Sequence, residues 1–256
     1  MKELVRRGEV ASENRARQLV EAGRVTVDGF PVDNPNSEVN GNAQLEIIEE
    51  KSNDWVGRGA KKIWPLLAED KIVVKNKICL DVGASTGGFT QALLKAGAQK
   101  VYAVDVGYGQ LDWSLRQDER VIVKDRYNFR YARSEDFQPS PALFAMDVSF
   151  ISSLKLISAL NEVMAGDSRG ILLIKPQFEA PREDVKDGII KEPSTWRRTL
   201  ERVLEGWEES GWGCYDLQLS PVAGNEGNRE FVALLARAAE SKHEQMIDPV
   251  VDRAAG

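Results

Sequence analysis

The 256 residues are 42% hydrophobic, 29% charged and 7% aromatic, and 34 Lys+Arg against 40 Asp+Glu leave a net charge of −6; a largely disordered chain is excluded, and no global cationic field favours nucleic acid. The longest apolar runs, such as Ile171-Leu172-Leu173-Ile174, fall far short of the roughly 18 residues of a membrane helix, and Met1-Lys2-Glu3-Leu4-Val5-Arg6-Arg7 lacks the apolar stretch of a secretory signal. Two cysteines, Cys79 and Cys214, and the single His243 make neither a disulfide framework nor a His-ligated metal site, so a reduced, cytoplasmic protein without a resident metal is expected.

Residues 1–50 read as a small separate unit. Ser12 is placed to cap a helix over 13–22 with Ala16, Leu19 and Val20 as its apolar stripe, and Gly23 to end it. Val25-Thr26-Val27 alternates as a strand, Asp28-Gly29 signals a turn, Phe30-Pro31-Val32 continues beyond it, and Leu45-Glu46-Ile47-Ile48 is a further strand. Residues 51–58 turn from polar to aromatic and read as a linker.

A larger domain is expected over 59–238. Its first helix spans 59–69, carries Ile63, Leu66 and Leu67, and holds Pro65 within a tolerant first turn. Strand runs follow near 77–82, 100–105, 120–124, 142–147, 170–175, 213–219 and 229–236, with helices near 87–97, 151–164 and 194–210. That alternation predicts a mostly parallel sheet covered on both faces. Residues 239–256 are expected to be a polar, frayed tail.

Five strand runs end on polar residues: Leu80-Asp81, Val104-Asp105, Val123-Lys124-Asp125, Met146-Asp147 and Ile174-Lys175. In an open parallel sheet these ends share one edge, where ligands bind. The strongest motif is Asp81-Val82-Gly83-Ala84-Ser85-Thr86-Gly87-Gly88-Phe89-Thr90, between a strand and a helix. Its glycines allow close backbone approach to a ligand, and the helix N-terminus favours an anionic group. The glycine spacing is not G-x-G-x-x-G, which disfavours a nicotinamide dinucleotide. Asp105, at the second strand end, is placed to bond ribose hydroxyls. Together they imply an adenosine-type cofactor.

Residues 81–90 resemble motif I of class I S-adenosylmethionine methyltransferases in the form used by FtsJ-like RNA ribose methyltransferases. A wider set of motifs is similar to the TlyA family of rRNA cytidine-2′-O-methyltransferases, also called hemolysin A. They are Arg58-Gly59-Ala60-Lys61-Lys62, Asp147-Val148-Ser149-Phe150, Ile174-Lys175-Pro176-Gln177-Phe178-Glu179 and Gly227-Asn228-Arg229-Glu230-Phe231. Residues 12–29 resemble the RNA-binding module named after ribosomal protein S4. The resemblance covers nearly the whole chain. It implies a Rossmann-like α/β sheet, mostly parallel with an antiparallel last strand, behind a small N-terminal α+β RNA-binding domain.

The resemblance also implies a catalytic tetrad, Lys62, Asp147, Lys175 and Glu230, and topology supports it: Asp147 and Lys175 end parallel strands, an antiparallel last strand begins at the same edge with Glu230, and the helix preceding the first strand starts there with Lys62. In this reading Lys175 is the general base that takes the proton of a ribose 2′-hydroxyl, a role open to lysine only where its pKa is depressed. Asp147 and Glu230 orient the lysines and the hydroxyl. The cofactor residues expected are Asp81, Gly83, Ala84, Ser85, Gly87, Gly88, Phe89 and Asp105, with Asp125 reaching the adenine edge.

Ribosomal RNA or a ribosomal subunit is the implied partner. Arg6, Arg7, Arg15, Arg17 and Arg24 cluster in the first unit, although residues 1–30 carry a net charge of only +1. Arg58, with Lys51, Lys61, Lys62 and Trp55, extends this surface. Glu13 stands where the family has arginine after the capping serine. The late start of the chain leans towards the large subunit. Three other readings compete: a cofactor-binding RNA module without catalysis, opposed by the intact tetrad; a membrane-active hemolysin, opposed by the missing apolar span; and a nicotinamide oxidoreductase.

Overall fold

The computed structural model describes residues 2–7, 9–10, 13–21, 25–32, 34–37, 39–47 and 55–256. The chain divides into two compact units, Met1–Asp54 and Trp55–Gly256.

In the first unit, helices α1 (Lys2–Arg6) and α2 (Glu13–Glu21) accompany strands β1 (Val25–Val27), β2 (Phe30–Val32) and β3 (Leu45–Ile47). The strands pair antiparallel in the order β2-β1-β3. Asp28 and Gly29 both take positive φ, 51° and 83°, as a two-residue hairpin turn matched to strand twist requires. Leu4, Ala16, Leu19, Val20 and Val25 form the core. The expected caps, Ser12 and Gly23, lie outside the described residues.

The second unit begins with α3 (Gly59–Ala68), β4 (Ile78–Val82), α4 (Gly88–Lys95), β5 (Lys100–Val104), α5 (Trp113–Arg116), β6 (Val121–Lys124) and β7 (Leu143–Met146). It continues with α6 (Ile157–Val163), β8 (Arg169–Ile174), α7 (Pro176–Glu179), α8 (Pro193–Glu209), β9 (Trp212–Leu219), β10 (Phe231–Arg237) and α9 (His243–Ala255). The sheet order is β6-β5-β4-β7-β8-β10-β9. β4 pairs parallel with β5 and β7, β6 with β5, and β8 with β7, whereas β10 is antiparallel to both its neighbours. The chain reverses its direction of winding between β4 and β7, which opens a crevice at their C-terminal ends.

Both faces of the sheet are buried, and residues alternate between them. Leu80, Tyr102, Phe144, Leu172 and Ala233 enter a core with Trp207 and Trp212. Cys79, Val101, Leu143, Ile171 and Val232 enter a second core with Ile63, Leu66, Phe89 and Leu93 of α3 and α4. The expected mostly parallel sheet with an antiparallel last strand is therefore the observed one.

Three local expectations change. Residues 55–58 are no free linker: the Trp55 ring lies 5.2 Å from Trp64 with the Lys95 ammonium over both, and the Val56 N–H donates to Gln91 Oε1 at 2.8 Å. Pro65 sits beyond the first turn, in the interior of α3; it is exposed, so the carbonyl it leaves unpaired in the preceding turn faces solvent. The 239–256 segment is no frayed tail, because α9 buries His243, Ile247, Val250, Val251 and Ala254 against the sheet unit. Among the described residues no helix is long and apolar enough to cross a membrane.

Candidate active site

The crevice is a cleft of about 370 Å³ lined by the ends of β4, β5 and β7 and the loops that leave them, a volume in the range of small-molecule sites. Gly83, Ser85, Asp105, Asp147 and Phe150 are among its walls, as are Val106, Gln110, Tyr127, Asn128 and Phe129, which sequence reasoning missed. The last three follow the third strand of the parallel set. Their position just past that strand end was the available signal. A smaller adjoining hollow is lined by Arg58, Ala84, Gly88 and Phe89 and shares Gly83, Ser85 and Asp147 with the cleft.

Lys62, Asp147, Lys175 and Glu230 meet at one side of the cleft, although Lys62 and Glu230 are far apart in sequence. Lys62 Nζ lies 2.6 Å from Glu230 Oε2 and 3.8 Å from Asp147 Oδ2. Lys175 Nζ lies 2.5 Å from Asp147 Oδ1 and donates to Ser149 Oγ at 2.9 Å. The row Glu230–Lys62–Asp147–Lys175 alternates in sign and carries no net charge. Neutrality matters because Lys62 and Glu230 are buried, and an unpaired buried charge is strongly destabilising. Asp147 Oδ1 and Glu230 Oε2 make their lysine contacts at ion-pair distance but outside hydrogen-bond geometry. Both oxygens are buried, so the two lysines are what compensates their charge. Gly224 presses on Glu230 from behind: a Cβ there would stand 2.4 Å from Glu230 Oε1.

The motif glycines divide by role. Gly83 has φ +86°, and a Cβ on it would lie 2.3 Å from the Asp147 carbonyl oxygen, so the turn beside the cleft and the end of β7 touch only because this residue is glycine. Gly87 was expected to surround a ligand, but a Cβ there would meet Leu115 and Leu111; it serves packing of α4 and lines neither hollow.

The acids divide as well. Asp105 accepts the Ser85 N–H at 2.8 Å and the Gly107 N–H at 2.7 Å, which uses about two of the roughly four acceptor positions of a carboxylate. Asp105 also lines the cleft, and a carboxylate with spare acceptor positions is chemically suited to a diol. With the glycine turn on one side and apolar Val106 and Phe129 near Asp105, the cleft suits an adenosine-type group. Asp125 does not: its two oxygens hold the Arg116 guanidinium at 2.7 and 2.9 Å, and it lines neither hollow. Asp81 is also corrected. It points away from the cleft into the second core, fully buried, where Oδ2 accepts the Thr90 hydroxyl at 2.6 Å and Oδ1 has no hydrogen-bond partner among the described residues. Burial pushes its carboxyl up to about 7, against the lowering effect of Thr90.

The arginines are used unevenly. Arg6 and Arg7 both bond Glu3, whose carboxyl they draw down to about 2. Arg7 also donates to the carbonyls of Ala43 and Gly41 at 2.7 and 2.9 Å, so it tethers the module's own loop, while Arg6 stays exposed. Arg17 is exposed. Arg24 and the Arg15 side chain lie outside the described residues. Arg58 donates to the Ala223 carbonyl at 2.8 Å and keeps an exposed guanidinium beside the smaller hollow. Among the described residues no group of three or more His, Cys, Asp or Glu could hold a metal ion.

Comparison with known proteins adds relatives to this geometry. The family model described as FtsJ-like methyltransferase matches residues 55–237, and that of the S4 domain matches residues 1–45. The 16S/23S rRNA (cytidine-2′-O)-methyltransferase TlyA of Mycobacterium tuberculosis is 40% identical over 90% of this chain and 86% of its own length. Hemolysin A of Brachyspira hyodysenteriae is 37% identical over 88% of this chain and 94% of its own. A solved structure from Streptococcus thermophilus that bears a hemolysin name superposes with a TM-score of 0.76 at 37% identity, covering 98% of this chain and 93% of that one.

Proposed function

Because the chain belongs to the FtsJ-like methyltransferase family and carries an S4 domain, we propose that it transfers a methyl group from S-adenosylmethionine to a ribose 2′-hydroxyl, on cytidine, of ribosomal RNA in the cytoplasm. The single observation that carries this reading is the alternating row Glu230–Lys62–Asp147–Lys175 beside the cleft.

When bound, the cofactor supplies a methyl carbon already activated by its sulfonium. The protein's part is to place a poor nucleophile in line and remove its proton. Asp105 holds the cofactor ribose, and Gly83 lets the motif turn lie against the end of β7. Lys175 donates to Ser149, a residue of the cleft wall. In its neutral form it takes the proton of the 2′-hydroxyl at Nζ. Asp147 aims that amine, and Lys62, held by Glu230, keeps Asp147 in place. Phe150, which lines the cleft and is 90% exposed, offers a ring face on which a base of the RNA can stack, as single-stranded nucleotides do on surface aromatics. The S4 domain supplies backbone contacts to the RNA through Arg6, Arg17 and the neighbouring arginines.

The test is transfer of labelled methyl groups from S-adenosylmethionine to separated ribosomal subunits and naked rRNA, followed by mapping of the modified sugar. Label on a cytidine 2′-oxygen is the expected result. Label on a base, or on no rRNA at all, would overturn the reading.

A further inference from the structure

Residues 149–153 leave the end of β7 and are fastened on both sides of Phe150. On one side Ser149 Oγ accepts from Lys175 Nζ at 2.9 Å. On the other, Glu179 takes two hydrogen bonds: its Oε2 accepts the Ser152 hydroxyl at 2.6 Å and its Oε1 accepts the Ser153 N–H at 2.8 Å. Glu179 ends α7 and is only 8% exposed. Its own carbonyl accepts from the Arg202 guanidinium, and Ser153 Oγ accepts from Trp207 Nε1 at 3.2 Å, so α8 braces both halves of the clamp.

Phe150, between the two fastenings, has φ +64°. A bulky residue keeps this backbone only where its surroundings over-determine it. Its ring gains little burial in return, being 90% exposed, and lies 4.8 Å from the Phe178 ring. A strained, outward aromatic held by a buried carboxylate has no evident use in the isolated fold, but it does beside Lys175.

We infer that Glu179 is a positioning residue for the RNA: it clamps residues 152 and 153 so that Phe150 presents its ring next to Lys175. This rests on the reading of Phe150 as a stacking face. The carboxylate itself lines neither hollow and bonds no member of the tetrad, and Phe150 is the residue of the clamped loop through which its effect on RNA binding is expected to pass.

A double-mutant comparison in the full chain tests it, with undermethylated ribosomal subunits as the methyl acceptor. Phe150→Ala is expected to raise KM for the subunit about tenfold, the magnitude of losing one base stack. Glu179→Ala should raise it nearly as far, with kcat and S-adenosylmethionine affinity within about twofold, and the double variant should be no worse than Phe150→Ala. Glu179→Gln, which keeps one acceptor oxygen and nearly the same shape, should fall between wild type and Glu179→Ala; it carries the same comparison if the alanine variant does not fold. Multiplying effects in the double variant, or a Glu179 loss confined to kcat or cofactor affinity, would overturn the positioning role. An unchanged KM in Phe150→Ala would overturn the stacking face itself.

Discussion

The two halves of the crevice treat their acids in opposite ways. At the ends of β5 and β6 the carboxylates carry bonds of the fold: Asp125 is held by Arg116, and Asp105, which lines the cleft, accepts two backbone N–H groups while keeping spare acceptor positions. At the ends of β7 and β10, Asp147 and Glu230 form their ion pairs with lysines, and two of their oxygens have no aligned hydrogen bond. An acid at a strand end is the same signal in both halves. What separates these carboxylates is the partner that fills their acceptor positions: an arginine at Asp125, backbone amides in part at Asp105, and lysines at Asp147 and Glu230.

The most severe way to break this contrast is Lys175→Ala. Loss of the positioned base should lower the methyl-transfer rate about 100- to 10,000-fold, while calorimetry finds S-adenosylmethionine affinity within about twofold. Activity at the wild-type level would remove Lys175 from the chemistry.

Gly83→Ala should come next. Its Cβ would meet the Asp147 carbonyl at 2.3 Å on a backbone with φ +86°, which costs about 1–3 kcal/mol or more in strain and displaced backbone. A fall in the thermal midpoint together with weakened cofactor binding is expected, and an unchanged protein would mean that β7 has room to move.

A sharper test pairs Asp105→Asn with Asp125→Asn. The first should weaken cofactor binding about tenfold, in line with one charge-assisted hydrogen bond. The second should leave that affinity within about twofold and register as a small loss of stability, about 1 kcal/mol, from the broken Arg116 pair. Equal effects on affinity would erase the distinction between the two acids.

The effect confined to a pH slope belongs to Asp81. Burial raises its folded carboxyl to about 7, whereas an unfolded aspartate titrates near about 4. Between those values the folded state binds the additional proton, so its contribution to stability is full below about pH 4 and declines until about pH 7. Asp81→Asn removes that slope. Thermal midpoints at pH 5 and pH 8 should differ less in the variant than in the wild type; an identical difference would mean that Asp81 does not titrate in this window.

Much of this was legible before any coordinates. The run of strands and helices, the hairpin at Asp28-Gly29 and the convergence of Lys62, Asp147, Lys175 and Glu230 follow from periodicity, turn chemistry and the resemblance of the motifs. The miss at α9 is instructive: Met246, Ile247, Val250, Val251 and Ala254 have helical spacing, but Pro249 and the polar start at Glu240 and Lys242 obscured it. Pro249 is accommodated inside the helix because the buried stripe packs on the sheet unit.

By itself the chain's sequence determined where strands and helices lie and which chemical groups stand at the edge of the sheet, because side-chain period and turn residues are local properties. The tertiary structure alone decided what each group there is free to do. Thr90 turns Asp81 inward, Arg116 occupies Asp125, Leu111 and Leu115 claim the space behind Gly87, and Glu179 holds the strained loop that carries Phe150. Each of these outcomes depends on a partner delivered by another segment of the chain, and the free energy of a polar group is set by such partners rather than by its neighbours in sequence.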